Sequence, residues 1–313
     1  MASCDKCGKR AGVNLHYTDT DLCEACFCAQ FERRVSQANK DFKMLRLGDK
    51  VAVGVSGGKD SGAMLYVLKK MSPSIRGLEL IPITIDEGID SYRIPSIKCA
   101  QELCDTLGLP LATYRYCDYF KPMDDVVKIR NRKSKSGKLK NRRSCTYCGV
   151  FRRALLDRAS RELGAGKLAI GHNADDVAQT FLMNLLRRDE GKWGAFSPAS
   201  DGYGGFVPRI KPLIYNPEAE ALLYCKFKGI PYYECKCPYS SESFRGEVKR
   251  FLNRVEEGFP GAKFNLLQSY LSLQEKMDGG AVKGKHTSTC RKCGMPSSGK
   301  ECMACTLKGE LDG

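Results

Sequence analysis

The chain has 313 residues with 42% hydrophobic composition, 17 cysteines and a formal net charge of +15, which bounds it to one large domain or two ordinary ones with room for small appendages. It opens on charged residues and two cysteines, not a leader, and no apolar run approaches the ~20 residues of a membrane span, so a soluble, unexported chain without a membrane partner is expected. The positive balance points to a polyanionic partner such as nucleic acid, because neutralised phosphates release counterions.

In chain order the first feature is Cys4-x2-Cys7 followed after fifteen residues by Cys23-x2-Cys26, the ligand spacing of a zinc ribbon. Four cysteines fill a tetrahedral site, so His16 between them is not expected to ligate. Paired thiols gathered at the chain ends differ from a secreted disulfide framework, and a reducing, cytoplasmic compartment follows.

Lys50 to Val55 is a short apolar run that reads as a strand, and Lys59 to Lys70 has helical spacing through Met64, Leu65 and Leu68. Between them, after Gly54, lies Ser56-Gly57-Gly58-Lys59-Asp60-Ser61. Glycines let backbone N–H groups approach a phosphate, the helix start offers unpaired donors, and the serines add hydroxyls. The pattern is not a Walker A loop, which needs G-x-x-x-x-G-K-[ST].

Leu78 to Ile85 reads as a second buried strand, followed by Asp86 where it could face a nucleotide or Mg²⁺. A helix is expected over Ile94 to Leu107 and a strand over Leu111 to Tyr116. Between Val126 and Leu156 stand eleven Lys or Arg and no Asp or Glu. Lys128 to Arg143 is poor in apolar residues and is expected to be a mobile, phosphate-binding loop. It leads into Cys145-x2-Cys148, a pair placed just before a helix expected over Gly149 to Leu163. A helix start and adjacent Arg lower thiol pKa, which suits sulfur chemistry or metal ligation. Two cysteines alone are not a structural zinc site, so a distant cysteine or a bound sulfur would complete it.

Lys167 to Ile170 is a strand, and Gly171-His172-Asn173-Ala174-Asp175-Asp176 follows it at the same sheet edge. Adjacent carboxylates there could coordinate Mg²⁺ or act as a base, or Asn173 and Asp175 could simply cap the helix expected over Asp175 to Arg188. Asp189 to Tyr215 is Gly- and Pro-rich and expected as loop, with Arg209 and Lys211 either neutralising phosphate or standing as plain surface charges. Glu218 to Lys228, Glu242 to Glu256 and Ala262 to Met277 read as helices. Asp278 to Thr289 reads as a flexible linker to Cys290-x2-Cys293 and Cys302-x2-Cys305, a second four-thiol metal site. The strand and helix alternation argues for an α/β fold, a parallel sheet with helices on both faces.

Ser-Gly-Gly-Lys-Asp-Ser resembles the signature of the PP-loop ATP pyrophosphatases, HUP-like enzymes that cleave ATP between its α and β phosphates and adenylate a substrate. Cys-Thr-Tyr-Cys-Gly-Val-Phe-Arg-Arg from Cys145, Gly-His-Asn-Ala-Asp-Asp from Gly171, Phe244-Arg245-Gly246 and the terminal cysteine quartet narrow the resemblance over essentially the whole chain. Together they are similar to the cytoplasmic tRNA 2-thiolation family, called NcsA in archaea and related to TtuA and TtcA.

The resemblance implies an ATP-dependent tRNA 2-thiouridine synthetase acting at wobble position 34, with position 54 (TtuA-like) or a non-thiolating tRNA-modifying enzyme as alternatives. It implies ATP on Gly54 and Ser56 to Ser61 with Asp86, Gly171, His172 and Asp175 nearby, Mg²⁺, and two zinc sites. It also implies a third catalytic cysteine, Cys237, seven residues before Phe244. With Cys145 and Cys148 that cysteine would hold a 4Fe-4S cluster with one iron open to sulfide, or the three would work through a persulfide. Asp176 is expected to act in catalysis and Arg152 to stabilise developing charge. The partners implied are tRNA and a sulfur donor, either a ubiquitin-like thiocarboxylate protein or sulfide, and family members are often homodimers. The domain reading is residues 1–30 zinc module, 31–215 PP-loop domain, 216–278 helical extension with the third cysteine, and 279–313 linker and second zinc module.

Overall fold

A computed structural model describes residues 2–135, 142–189, 197–200, 202–240, 244–278 and 288–312. The elements open with β1 (Val13–Leu15), β2 (Thr20–Leu22), α1 (Glu24–Phe42), β3 (Lys50–Gly54), α2 (Lys59–Met71), β4 (Glu79–Asp86) and α3 (Asp90–Thr106). They continue with β5 (Ala112–Arg115), α4 (Tyr116–Tyr119), α5 (Met123–Lys135), α6 (Ser144–Glu162), β6 (Lys167–Ala169), α7 (Ala174–Leu186) and β7 (Arg209–Ile210). The chain closes with α8 (Glu218–Lys228), α9 (Phe244–Gly258), α10 (Ala262–Asp278), β8 (Ser288–Thr289), β9 (Pro296–Ser297) and α11 (Met303–Asp312).

Five strands form one parallel sheet in the order β5-β4-β3-β6-β7. The winding direction reverses between β3 and β6, so a ligand crevice opens there beyond the carboxyl ends of the strands. Strand periodicity divides the core: Val51 and Val53 face one cluster with α1, α2 and α8, while Ala52 joins Ile83 and Ile85 in a second cluster with α5, α6 and α11. Crossover helices run back against the strands, so the first turns of α2, α3, α6 and α7 all gather at the carboxyl edge.

The terminal modules are docked on this layer structure. Tyr17 and Arg34 both engage Glu220, the latter at 2.6 Å, and Phe31 stacks on Tyr224 at 4.3 Å, fixing α1 to α8. At the other end Ala304, Leu307 and Leu311 of α11 pack into the cluster holding Tyr147 and Phe151 of α6. Lys133 donates to the Glu310 carbonyl (3.0 Å), and Arg142 and Tyr147 reach its carboxylate at 3.4 and 3.3 Å.

Three expectations are corrected. The basic stretch from Lys128 is helical as far as Lys135, because Met123 and Val126 are buried and Val127 and Ile129 pack on the same core, giving a helical apolar face that the charges obscure. Helix α6 starts at Ser144, not Gly149, which puts Cys145 and Cys148 inside its first turns. The Gly- and Pro-rich stretch contains β7, paired to β6 by two residues. Lys138 and Lys140, and residues 279–287 of the expected linker, lie outside the described residues.

Candidate active site

The loop after β3 is closed on itself. The Ser56 amide donates to Ser61 Oγ (3.0 Å), the two hydroxyl oxygens are 3.1 Å apart, and Ser61 Oγ donates to the Gly58 carbonyl (3.0 Å). Gly57 has φ +81°, and a Cβ there would stand 1.8 Å from the Ser96 carbonyl oxygen, so only glycine fits beneath α3. Gly58 is the N-cap of α2 and supplies no side-chain cap, which leaves first-turn N–H groups for an anion. Gly171 lets the β6–α7 turn approach: its Cβ would lie 3.1 Å from the Ser61 nitrogen. Lys59 bridges Asp60 (2.8 Å) and Glu218 (3.0 Å). Burial works to lower its pKa, and the two carboxylates more than offset that and raise it.

Asn173 both caps α7 and ties it to α2. Its side-chain oxygen accepts from the Asp176 amide (3.0 Å), the Asp176 carboxylate accepts from the Asn173 amide (3.3 Å), and Asn173 Nδ2 donates to Asp60 (2.8 Å). The helix-capping and site readings are thus one arrangement. Burial raises Asp176 to about 6, opposed by Arg245 3.1 Å away and reinforced by Asp60. Asp175 is engaged elsewhere: its oxygens accept from the Glu218 amide and the Lys263 ammonium, each at 2.7 Å, joining α7 to α8 and α10. His172 is lowered to about 3, first by burial and then by Lys211, Arg245, Arg209 and Arg153, and stays neutral. Lys211 donates to the Ser197 carbonyl and Arg209 to that of Arg153 (3.5 Å). Asp86 closes β4 and accepts from the Gly88 amide (2.9 Å), shaping the turn into α3.

Cys237 reaches the same edge by a single crossing segment. After α8 stops at Gly229 in the left-handed region, the chain passes over the phosphate loop, where the Tyr233 amide donates to the Gly57 carbonyl (2.8 Å). It ends with Tyr239 donating to Asp124 of α5 (2.7 Å), while the Cys145 thiol donates to the Tyr239 carbonyl (3.4 Å). Cys148 and Cys237 pack on the same core cluster, and all three thiols are half-buried. Burial pushes the Cys237 thiol up, the Tyr239 amide pulls it down, and the neighbouring Cys148 pushes up again.

Arg152, one turn beyond Cys148, lies 3.2 Å from its sulfur and 2.7 Å from Glu87. Glu87 also meets Arg93 at 2.6 Å, an approach not aligned as a hydrogen bond and therefore a charge contact. Arg93 in turn donates to the Ser56 carbonyl (2.9 Å), Ser96 (2.9 Å), Thr84 (3.1 Å) and the Ile85 carbonyl. Glu87 and Arg93 are buried, so removing one alone would strand a charge at a cost of roughly 3–5 kcal/mol.

Two cysteine quartets, Cys4/Cys7/Cys23/Cys26 and Cys290/Cys293/Cys302/Cys305, bring their sulfurs within 4.8 Å of one another. The Cys7–Cys23 and Cys293–Cys302 separations are both 3.6 Å, close to the roughly 3.8 Å edge of a tetrahedron with 2.3 Å zinc–sulfur bonds. Amides of Cys302 and Cys305 point at the sulfurs of Cys290 and Cys302 (3.3 and 3.4 Å). Among the described residues no other group is gathered so tightly.

Sequence reading missed Glu87, Arg93 and the role of Arg245. Glu87 adjoins Asp86 at the carboxyl edge, and the reasoning that singled out Asp86 applies equally to it. Arg93 gave no signal, since a lone arginine near a helix start reads as a surface charge.

Residues 28–256 match the PP-loop domain family. The chain is 37% identical over 305 residues to cytoplasmic tRNA 2-thiolation protein 1 of Drosophila melanogaster, covering 96% of this chain and 85% of that one. It is 36% identical to the tRNA 2-thiolation protein NcsA of Haloferax volcanii, covering 97% of each. Its fold is similar to the U34-tRNA thiolase NcsA of Methanococcus maripaludis, solved with its [4Fe-4S] cluster, at a TM-score of 0.78 and 34% identity over 94% of this chain and 92% of that one.

Proposed function

The chain belongs to the cytoplasmic tRNA 2-thiolation family of PP-loop enzymes, and on that premise we propose that it is an ATP-dependent tRNA sulfurtransferase that makes 2-thiouridine at position 34 in the cytoplasm. The observation that carries this reading is the crossing segment: the Tyr233 amide rests on Gly57 of the phosphate loop, and a few residues later Cys237 packs on the same core cluster as Cys148 while the Tyr239 carbonyl accepts from the Cys145 thiol. An enzyme that adenylates a base but adds no sulfur has no use for that thiol triad beside its nucleotide site.

ATP lies on Ser56 to Ser61, its phosphates against the first-turn amides of α2, with Mg²⁺ near Asp60 and Asp176. The uridine O2 attacks the α-phosphorus, the bond to the β-phosphate oxygen breaks, and pyrophosphate leaves. Sulfide then attacks C2 with its own electron pair, the C2–O bond breaks, and AMP departs with that oxygen. The sulfide proton passes to solvent. Arg152 stands beside Cys148 to stabilise charge developing at the base. Cys145, Cys148 and Cys237 are the thiolates that would hold a 4Fe-4S cluster, which when bound supplies an iron site open to sulfide. Sulfide comes free or from a thiocarboxylated ubiquitin-like protein, zinc fills the two terminal quartets, and the working form is a homodimer.

Anaerobic incubation with unmodified tRNA, ATP, Mg²⁺ and sulfide, followed by nucleoside mass spectrometry and mapping of the modified position, tests the reading. ATP-dependent 2-thiouridine at position 34, lost in Cys145→Ala, Cys148→Ala and Cys237→Ala, is expected. Thiolation at position 54 instead, or product formation independent of the cysteines, would contradict it.

A further inference from the structure

Glu87 is the meeting point of the two halves of the site. It leaves the turn after β4, where its carbonyl accepts from the Met123 amide (2.8 Å), and its carboxylate divides between two guanidinium groups. One oxygen is 2.6 Å from Arg93 Nε, and Arg93 holds the Ser56 carbonyl of the phosphate loop. The other is 2.7 Å from Arg152 Nε, and Arg152 holds the Cys148 sulfur at 3.2 Å. A continuous chain of contacts therefore runs from the nucleotide loop to the sulfur-handling cysteine, with one buried carboxylate at its centre.

We propose that Glu87 is a positioning residue: it fixes the plane of Arg152 against Cys148 and registers the first turn of α6 to the phosphate loop, so that nucleotide on the loop and sulfur at the cysteines meet the same uridine. This rests on the thiolase reading above. Neutralising Arg93 alone does not account for the geometry, because one carboxylate oxygen faces Arg93 while the other is turned to Arg152 at 2.7 Å. Nor does Arg152 need a carboxylate merely to remain charged, since a guanidinium keeps its proton throughout the ordinary pH range. What the carboxylate adds is a fixed distance between two cations that face different reactants, and a misplacement of about 1 Å at such a site is enough to slow a reaction roughly 100-fold.

Glu87→Asp tests this, since it keeps the charge that Arg93 requires while withdrawing it by one methylene from Arg152. Glu87→Gln, which keeps the length and removes the charge, is the companion variant. Single-turnover thiolation is expected to fall at least tenfold in Glu87→Asp with the KM for ATP within twofold of wild type, and the double variant with Arg152→Ala is expected to be no slower than Arg152→Ala alone. A second readout needs neither cluster nor turnover. In cluster-free protein a non-hydrolysable ATP analogue is expected to slow amide exchange over residues 144–152, and Glu87→Asp and Glu87→Gln are expected to abolish that response while still binding the analogue. Wild-type thiolation by Glu87→Asp, a loss that multiplies fully with Arg152→Ala, or an unaltered exchange response in either variant would overturn the proposal. Absence of 2-thiouridine with the wild-type enzyme would instead count against the thiolase reading, and the exchange response would still decide the role of Glu87.

Discussion

A guanidinium nitrogen of Arg152 lies 3.2 Å from the sulfur of Cys148, one turn earlier on the same helix. This contact is set by α6 starting at Ser144, which places both residues on one rigid element. Glu87 and Cys148 both hold the Arg152 pKa well above its ordinary value, so it is a permanent cation. Arg152→Ala is expected to slow sulfur transfer roughly 100-fold with ATP affinity unchanged. Arg152→Lys is expected to recover only part of the rate, because an ammonium cannot contact Glu87 and Cys148 in the planar fork of a guanidinium. Single-turnover thiolation beside an ATP-binding titration separates the two effects, and a wild-type rate in Arg152→Ala would remove the residue from the chemistry.

The two loop glycines have different tasks. A side chain at Gly57 meets the Ser96 carbonyl at 1.8 Å with φ at +81°, whereas at Gly58 the nearest atom, Ser56 Oγ, is 3.6 Å away and φ is −93°. Gly57→Ala is expected to lose about 2–4 kcal/mol of stability together with ATP binding. Gly58→Ala should fold to within about 1 kcal/mol of wild type. Thermal unfolding of the two variants provides the check, and equal stability of both would refute the steric reading.

Metal content separates the terminal quartets from the central triad. Protein purified anaerobically is expected to hold two zinc ions and about four irons per chain. Cys145→Ala, Cys148→Ala and Cys237→Ala should each lose iron and keep zinc, while Cys293→Ala should lose one zinc and loosen α11 from α6. Zinc alone under strict exclusion of oxygen would favour persulfide chemistry at the same three cysteines.

Burial, then the neighbouring Arg209 charge, lowers the Lys211 ammonium to about 7 from 10.5. The folded state therefore binds fewer protons than the unfolded state across that interval, and this contribution to stability is full above pH 10.5 and lost as pH falls through 7. Between pH 7 and pH 9 wild-type stability is expected to gain roughly 2 kcal/mol relative to Lys211→Met, read as a difference in slope from denaturant titrations. Parallel curves would show that Lys211 keeps its proton when folded.

Local chemistry made much of this legible beforehand. The run Lys50 to Val55 opening onto Ser-Gly-Gly gave the first strand, the loop and the helix, and the strand–helix alternation put that loop at the carboxyl end of a parallel strand, where it is found. The terminal quartets were equally plain, since metal-ligand spacing is a local property. What was hidden depends on contacts between distant segments. The apolar face of α5 lies under a run of lysines and arginines, so charge masked a helix. Helix α1 went unforeseen because its apolar residues Phe27, Phe31 and Val35 begin inside the cysteine module. Arg93 and Glu87 became visible only when β4, α3 and α6 were brought together. The link from Gly57 to Cys237 also spans most of the chain and leaves no spacing signal.

The central claim is that the uridine O2 is transferred to phosphorus before sulfur arrives, and the fate of that oxygen tests it most directly. With tRNA carrying ¹⁸O at C2 of uridine 34, the account expects one ¹⁸O in each AMP released, in step with 2-thiouridine formed. AMP free of label while 2-thiouridine accumulates would contradict it and place ATP cleavage elsewhere in the reaction.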